Sequence, residues 1–270
     1  MGNILDTIFE HKKDDVATAK RERPLSELKG RLSLVPKAQD VLGLLSRKGE
    51  GSNIIAEIKR RTPFKGDLVQ DFDAMKIAKE YADNGASAIS ILTDNKFFGG
   101  SLEYLQQAKQ EVGAPLLRKD FIYTEYQVYE SRAFGADFYL LIATSLDKNQ
   151  LRDLMALGQE LGFTALVETH NEKDLEKALY ADAKLLGINN RDLTTGKTDL
   201  AVSRRLLGQL KGLGGLCLVC ESGIYERAHI EEFESLGMHA FLIGESLMKA
   251  DCISEKLQEL RGHDKTSVSG

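Results

Sequence analysis

Tryptophan is absent from this 270-residue chain, cysteine occurs three times, and no apolar run nears the ~18 residues of a membrane span. The cysteines, Cys217, Cys220 and Cys252, form an odd, sparse set, and the first two lie in an apolar stretch where free thiols behave as small core residues. A reduced compartment is the expectation. The two-residue gap between Cys217 and Cys220 imitates half of a zinc or redox motif, but no second Cys or His pair stands at ligand spacing, so no metal is expected. Met1 to Phe9 lacks a basic region leading into a long apolar stretch, and Asp6 stands where a myristoylation motif at Gly2 wants Ser or Thr. The reading is an unexported, cytoplasmic protein. Charge of one sign is lacking as well: 36 basic residues against 41 acidic ones leave a net −5. Such a chain has no field that draws it to nucleic acid or an anionic membrane, so an anionic ligand must be held by a local site.

What is present is a repeated unit. From Asn53 onward, short apolar runs alternate with amphipathic stretches of helical spacing. The runs begin at Ile54, Ala86, Pro115, Asp137, Ala165, Leu185, Leu216 and Ala240, and turn-forming glycines (Gly85, Gly135, Gly162 and Gly237) precede four of them. Eight units spaced roughly 20 to 32 residues apart fit a closed (β/α)₈ barrel better than an open doubly wound sheet. The fold expected is α/β: one domain over 1–270, with a helical extension over 1–50, the barrel over 53–260 and a disordered tail over 262–270. In the extension, a charged stretch from His11 to Glu22 and apolar spacing near Leu25, Leu28 and Val41 to Leu45 predict helices that cap or flank the barrel.

The strands turn charged only at their carboxyl ends: Glu57 and Lys59, Lys119, Glu168, Asn189 and Arg191, and Glu221. In this fold that end carries the active site. Residues two apart on a strand point the same way, so Glu57 with Lys59, and Asn189 with Arg191, enter the mouth as pairs. One polar strand end is merely a strand meeting solvent. Five together converge lysines and glutamates that tune each other into an acid and a base.

Two later turns, Glu221-Ser222-Gly223-Ile224 and Ile243-Gly244-Glu245-Ser246-Leu247, put glycine and serine after the seventh and eighth runs, where barrels often bind phosphate. The loop Arg60-Arg61-Thr62-Pro63-Phe64-Lys65-Gly66 is basic and glycine-terminated, as a lid or anion clamp would be. Phe97, Phe98 and Phe121 follow the second and third runs and are able to floor an aromatic pocket. His170 ends a strand without a nucleophile elbow or triad pattern, and a structural or peripheral role is expected for it.

These blocks together resemble indole-3-glycerol phosphate synthase. They are Ile55 to Pro63, Leu117 to Phe121, Leu166 to Glu168, Gly187 to Leu193, Glu221 to Ile224 and Leu242 to Met248, in the family's order from about Asn53 to Met248, with a similar helical extension. The first loop departs from the family's usual Ser-Pro-Ser, reading Thr62-Pro63-Phe64, and Cys220 stands where serine or alanine is common. The resemblance implies a carbon–carbon lyase of tryptophan biosynthesis that closes the pyrrole ring of 1-(2-carboxyphenylamino)-1-deoxyribulose 5-phosphate with loss of carbon dioxide and water. It implies Lys119 as general acid at the ketone, Glu168 as base in the dehydration, Lys59 beside the substrate's anionic groups and Glu57 orienting the lysines. It further implies Asn189 and Glu221 on the hydroxyls and anilino group, with Arg191 in support, and Ser222, Gly223, Gly244 and Glu245 at the phosphate. Phe98, Phe121 and Thr62 complete the expected binding set. No cofactor is implied, because the ring-closed intermediate is its own electron sink. The expected partners are the phosphorylated substrate and other tryptophan-pathway enzymes.

Two rivals remain at this point. Phosphoribosylanthranilate isomerase, a related barrel, uses a cysteine near the end of strand one and an aspartate near the end of strand six, where this chain has Glu57 to Lys59 and Asn189 to Asn190. A barrel that binds a phosphometabolite without turning it over has no need of an acid facing a base.

Overall fold

A computed structural model describes residues 4–47, 49–69 and 71–263 and places all eight runs in strands. They are β1 (Asn53–Ile58), β2 (Ala88–Leu92), β3 (Leu116–Lys119), β4 (Phe138–Ile142), β5 (Thr164–Thr169), β6 (Leu185–Asn189), β7 (Cys217–Glu221) and β8 (Ala240–Ile243). Each pairs in parallel with its sequence neighbours, and β1 also pairs with β8, Asn53 opposite Ala240 and Ala56 opposite Ile243, which closes the ring.

Parallel neighbours need long crossovers, and helices supply them. After α1 (Ile4–Glu22), α2 (Leu25–Arg31) and α3 (Val41–Leu45) come α4 (Ala74–Asp83), α5 (Asn95–Phe98), α6 (Leu102–Glu111), α7 (Glu125–Ala133), α8 (Lys148–Glu160) and α9 (Glu172–Tyr180). The series ends with α10 (Ala201–Leu210), α11 (Arg227–Ser235), α12 (Glu245–Met248) and α13 (Ile253–Arg261). The basic first loop contains a minimal hairpin, Arg61–Thr62 against Gly66–Asp67.

Alternation along the strands makes two cores. Ile54, Ala56, Ile58, Ile89, Ile91 and Leu116 pack outward on the helices, while Ile55, Ala88, Leu117, Leu166, Val219 and Leu242 fill the barrel. Burial on both faces is why these strands read as nearly continuous apolar runs. Cys217 belongs to the inner core and Cys220 to the outer one. The two thiols therefore face away from each other, and burial pushes both up to about 11.

The extension covers both ends of the barrel. Val41 and Leu45 of α3 join the inner core at its amino end, where Asn53 Nδ2 donates to Leu45 O at 3.0 Å and His239 O at 3.2 Å. Helix α1 lies at the other end and starts at Ile4, earlier than the charged stretch suggested, because its buried face runs Leu5, Ile8, Lys12, Val16 at helical spacing. Lys12 is only 5% exposed and bridges Asp94 at 2.8 Å and Asp120 at 3.0 Å. The tail expected from Gly262 onward falls, from residue 264, outside the described residues. Among the described residues no helix is long and apolar enough to cross a membrane.

Candidate active site

The carboxyl ends of the strands surround a pocket of about 1090 Å³, counting its open mouth. Thirteen of the fourteen site residues expected from the sequence line it: Glu57, Lys59, Thr62, Phe98, Lys119, Phe121, Glu168, Asn189, Arg191, Ser222, Gly223, Gly244 and Glu245; the fourteenth, Glu221, is buried behind the lining and reaches it through Lys119. Register explains the convergence. Glu168 pairs with Gly187, Asn189 with Glu221, and Glu221 with Leu242, so successive strands deliver inward side chains at one height. Gly187 is required in that layer, since a Cβ there would collide with Oε1 of Glu221.

Lys119 is the hub. Its Nζ stands 3.4 Å from Glu168 Oε2, 3.5 Å from Glu221 Oε2 and 3.7 Å from Glu57 Oε1. Lys59 Nζ is paired with Glu57 Oε2. Burial opposes the charge on Lys119, yet Glu168, Glu221 and Glu57 hold it above the ordinary ammonium range. Burial likewise opposes the charge on Glu57, but Lys59 and Lys119 keep it below the usual carboxylate range.

Glu168 and Glu221 part ways. Both are deeply buried, and Glu168 is held below its usual value against that burial by Lys119 and His170. Glu221 is driven well above its usual value by burial and by the neighbouring Glu168 charge, with Lys119 opposing. Two adjacent carboxyls cannot both ionise cheaply, so their surroundings favour the proton on Glu221 and the charge on Glu168. Among the described residues no protein donor reaches Glu168 Oε2 or either oxygen of Glu221 with hydrogen-bond geometry. Of the two, Glu168 lines the pocket, where its unmet oxygen is open to a ligand.

The pocket is chemically lopsided. Phe98 and Phe121, with ring centroids 5.9 Å apart, follow β2 and β3 on one side, roofed by Ile4, Leu5 and Ile8 of α1. Opposite β3 in the eight-strand ring is β7, whose following Ser222 and Gly223 both adopt left-handed backbone, φ 64° and 87°. A serine there is strained by about 1–3 kcal/mol, a conformation that persists at ligand-binding turns. Ser246 Oγ donates to Ile224 O at 2.9 Å and ties this loop to the turn opening α12.

Several details differ from the sequence reading. Lys65 of the basic loop pairs with the carboxylate of Glu245, which Arg191 Nη2 and Lys249 Nζ also reach at 3.2 and 3.0 Å. Burial notwithstanding, Lys65 and Lys249 hold Glu245 down to about 2. Arg61 caps Asn95 O and Lys96 O instead of entering the mouth. Phe97 packs on His11 outside the pocket. His170, expected at the periphery, has Nε2 3.3 Å from Glu168 Oε1. The Ile4, Leu5, Ile8 roof had not been singled out, although its helical spacing was an available signal.

A profile of the family described as indole-3-glycerol phosphate synthase matches residues 5–260. The chain belongs to that family. It is 43% identical over 257 residues to the indole-3-glycerol phosphate synthase of Desulforamulus reducens, covering 95% of this chain and 96% of that one. It is 44% identical to the Roseiflexus sp. (strain RS-1) synthase, covering 97% and 99%. Family membership makes it a carboxy-lyase of tryptophan biosynthesis. Solved structures confirm the barrel alone: a 3-hexulose-6-phosphate synthase aligns with TM-score 0.62 at 15% identity over 78% of this chain and 99% of its own. A Pyrococcus furiosus thiamine phosphate pyrophosphorylase gives 0.56 at 16% over 80% and 97%.

Proposed function

We propose that this synthase closes the pyrrole ring of 1-(2-carboxyphenylamino)-1-deoxyribulose 5-phosphate with Lys119 as acid and Glu168 as base. The observation that carries the reading is Lys119 Nζ within 3.7 Å of Glu57, Glu168 and Glu221. A lysine so surrounded keeps its proton until an oxygen that is gaining charge takes its hydrogen bond.

In the first step Lys119 protonates the ketone oxygen as the ring carbon bearing the carboxylate attacks the ketone carbon. The new C–C bond leaves the ring cationic, and that ring takes up the electron pair of the carboxylate bond as carbon dioxide departs. Dehydration then removes the former ketone oxygen as water, with Glu168 accepting the proton from the adjacent carbon. Lys59, tethered to Glu57, lies where it would meet the substrate's anionic groups and assist that departure. Neutral Glu221 and Asn189 would hold the hydroxyls and anilino nitrogen, and Arg191 would brace the same wall.

The lopsided pocket supports one orientation. The anthranilate ring lies toward Phe98, Phe121 and the α1 roof, and the phosphate lies on backbone N–H groups of Ser222, Gly223, Gly244 and Glu245. Glu245 serves by its backbone, since its carboxylate is already engaged by cations. Thr62 Oγ1 accepts from Lys65 N at 3.0 Å and would hold the first loop in shape beside the ligand. The same reading puts the reaction in the cytoplasm, and makes the enzymes that supply the substrate and consume the product the partners to test by co-purification.

The assay is direct, because the chain has no tryptophan and a forming indole fluoresces above tyrosine alone. Lys119→Ala should lower kcat by about 10²–10⁴-fold with the fold intact. Turnover near the parent rate would overturn the assignment.

A further inference from the structure

His170 follows β5 immediately beyond Glu168 and Thr169, and its ring lies between the reaction pocket and a second, polar groove. On the pocket side, Nε2 is shielded from solvent, makes no full hydrogen bond, and stands 3.3 Å from Glu168 Oε1. On the groove side, Nδ1 is 3.2 Å from Thr144 Oγ1, and that hydroxyl is 2.6 Å from Asp174 Oδ2. Asp174 is 3% exposed, and the same oxygen accepts from His170 N at 3.1 Å and Asn171 Nδ2 at 3.0 Å.

This chain of contacts fixes where the protons are. A carboxylate only accepts, so the one hydrogen of the Thr144 hydroxyl goes to Asp174, and toward His170 the same oxygen is an acceptor. Nδ1 therefore carries a hydrogen. A neutral ring in that tautomer turns the lone pair of Nε2 at an oxygen of Glu168, and two acceptors 3.3 Å apart repel. The arrangement is favourable only with a proton between them.

We propose that His170 is a positioning residue for Glu168: locked by Thr144 and Asp174 with hydrogen on Nδ1, it shares one proton with the Glu168 carboxylate. That sharing fixes the orientation of the carboxylate and the pH range in which it acts as a base. The inference rests on Glu168 being the base. A positively charged His170 is among the influences that hold Glu168 below its usual value. The other groups facing the pair are Lys119 from β3, Asn189 from β6 and Glu221 from β7 around Glu168, with Asp174 from α9 beyond His170. Of these only Lys119 adds positive charge, so loss of His170 moves the protonation of Glu168 to higher pH.

The test is steady-state kinetics of the full chain on the ribulose phosphate substrate, across acid and neutral pH, for His170→Phe, His170→Gln, Thr144→Val and Glu168→Gln. His170→Phe should lower kcat by roughly 10–100-fold, the range for groups that orient a working side chain from behind. KM should stay within about 2-fold, because substrate binding is untouched. The acid limb of kcat should move to higher pH. His170→Gln, whose amide donates without charge, should recover part of kcat and leave the limb displaced. Thr144→Val, at an exposed position, should displace the limb the same way with a smaller loss. An acid limb unchanged in both His170→Phe and Thr144→Val overturns the pairing, and if His170→Phe fails to fold, Thr144→Val decides alone. Full turnover in Glu168→Gln would instead overturn the base assignment itself.

Discussion

At the scale of single residues, the site works by making chemically equal side chains unequal. Glu168 and Glu221 are both glutamates at strand ends, both buried, both beside Lys119. What separates them is their neighbours: His170 stands 3.3 Å from Glu168, whereas burial and the Glu168 charge push Glu221 upward. Glutamine copies the shape of a protonated glutamate and cannot ionise. Glu221→Gln should therefore keep kcat within about 10-fold at neutral pH, whereas Glu168→Gln should lose about 10²–10⁴-fold. Steady-state kinetics on the two variants reads the comparison directly. A more damaging Glu221→Gln would mean that the proton sits on the other carboxyl. The placement of these residues at strand ends was legible in the sequence, because a charge closing an apolar run has one place to go in this fold. Which carboxyl holds the proton was not, because that depends on the distance between β5 and β7, which no local pattern encodes.

At the scale of elements, the eight strands were readable since burial on both faces writes each as a continuous apolar run. Helix α1 was half readable. Its charged stretch suggests a solvated helix, and a buried Lys12 looks like Lys13 beside it until Asp94 and Asp120 are brought in from the loops after β2 and β3. That ion cluster pins the roof of the pocket. Removing its cation leaves two buried aspartates, so Lys12→Met should destabilise the chain by about 3–5 kcal/mol. The pH dependence has a definite sign. Burial opposes charge on Lys12, but Asp120 and Asp94 raise it above its ordinary value, so its contribution is complete below about pH 10.4 and is lost as pH rises through the higher folded value. Burial also opposes charge on Asp120, but Lys12 and Arg118 depress it, so its contribution is complete above about pH 3.9 and is lost as pH falls through the lower folded value. Urea unfolding of parent and variant should show a constant difference between those limits and a shrinking one outside them. A difference that varied across neutral pH would remove the ion cluster as its cause.

At the scale of the whole molecule, a chain of net charge −5 must hold a substrate bearing a phosphate and a carboxylate. Lys59, Lys119 and Arg191 gather in one mouth, and the turns after the last two strands line the same space, which is the local positive site the proposed binding mode uses. The extension belongs to this arrangement at both ends, α3 sealing the amino end of the inner core and α1 roofing the pocket. If extension and barrel are one domain, they unfold together. Calorimetry and far-UV circular dichroism should then give a single coincident transition, and a separate early loss of helix would split the chain into two units. Ligand should shift that transition as one piece. At about a hundred times its Kd, indole-3-glycerol phosphate adds about 2.7 kcal/mol, and at about 2–4 °C per kcal/mol for a chain near this size Tm should rise by about 5–11 °C. In Lys12→Met, whose roof has lost its anchor, the same ligand concentration should give a smaller rise, because more of the binding energy goes into ordering α1 over the ring. An equal rise in parent and variant would show that the roof makes no energetic contact with the ligand.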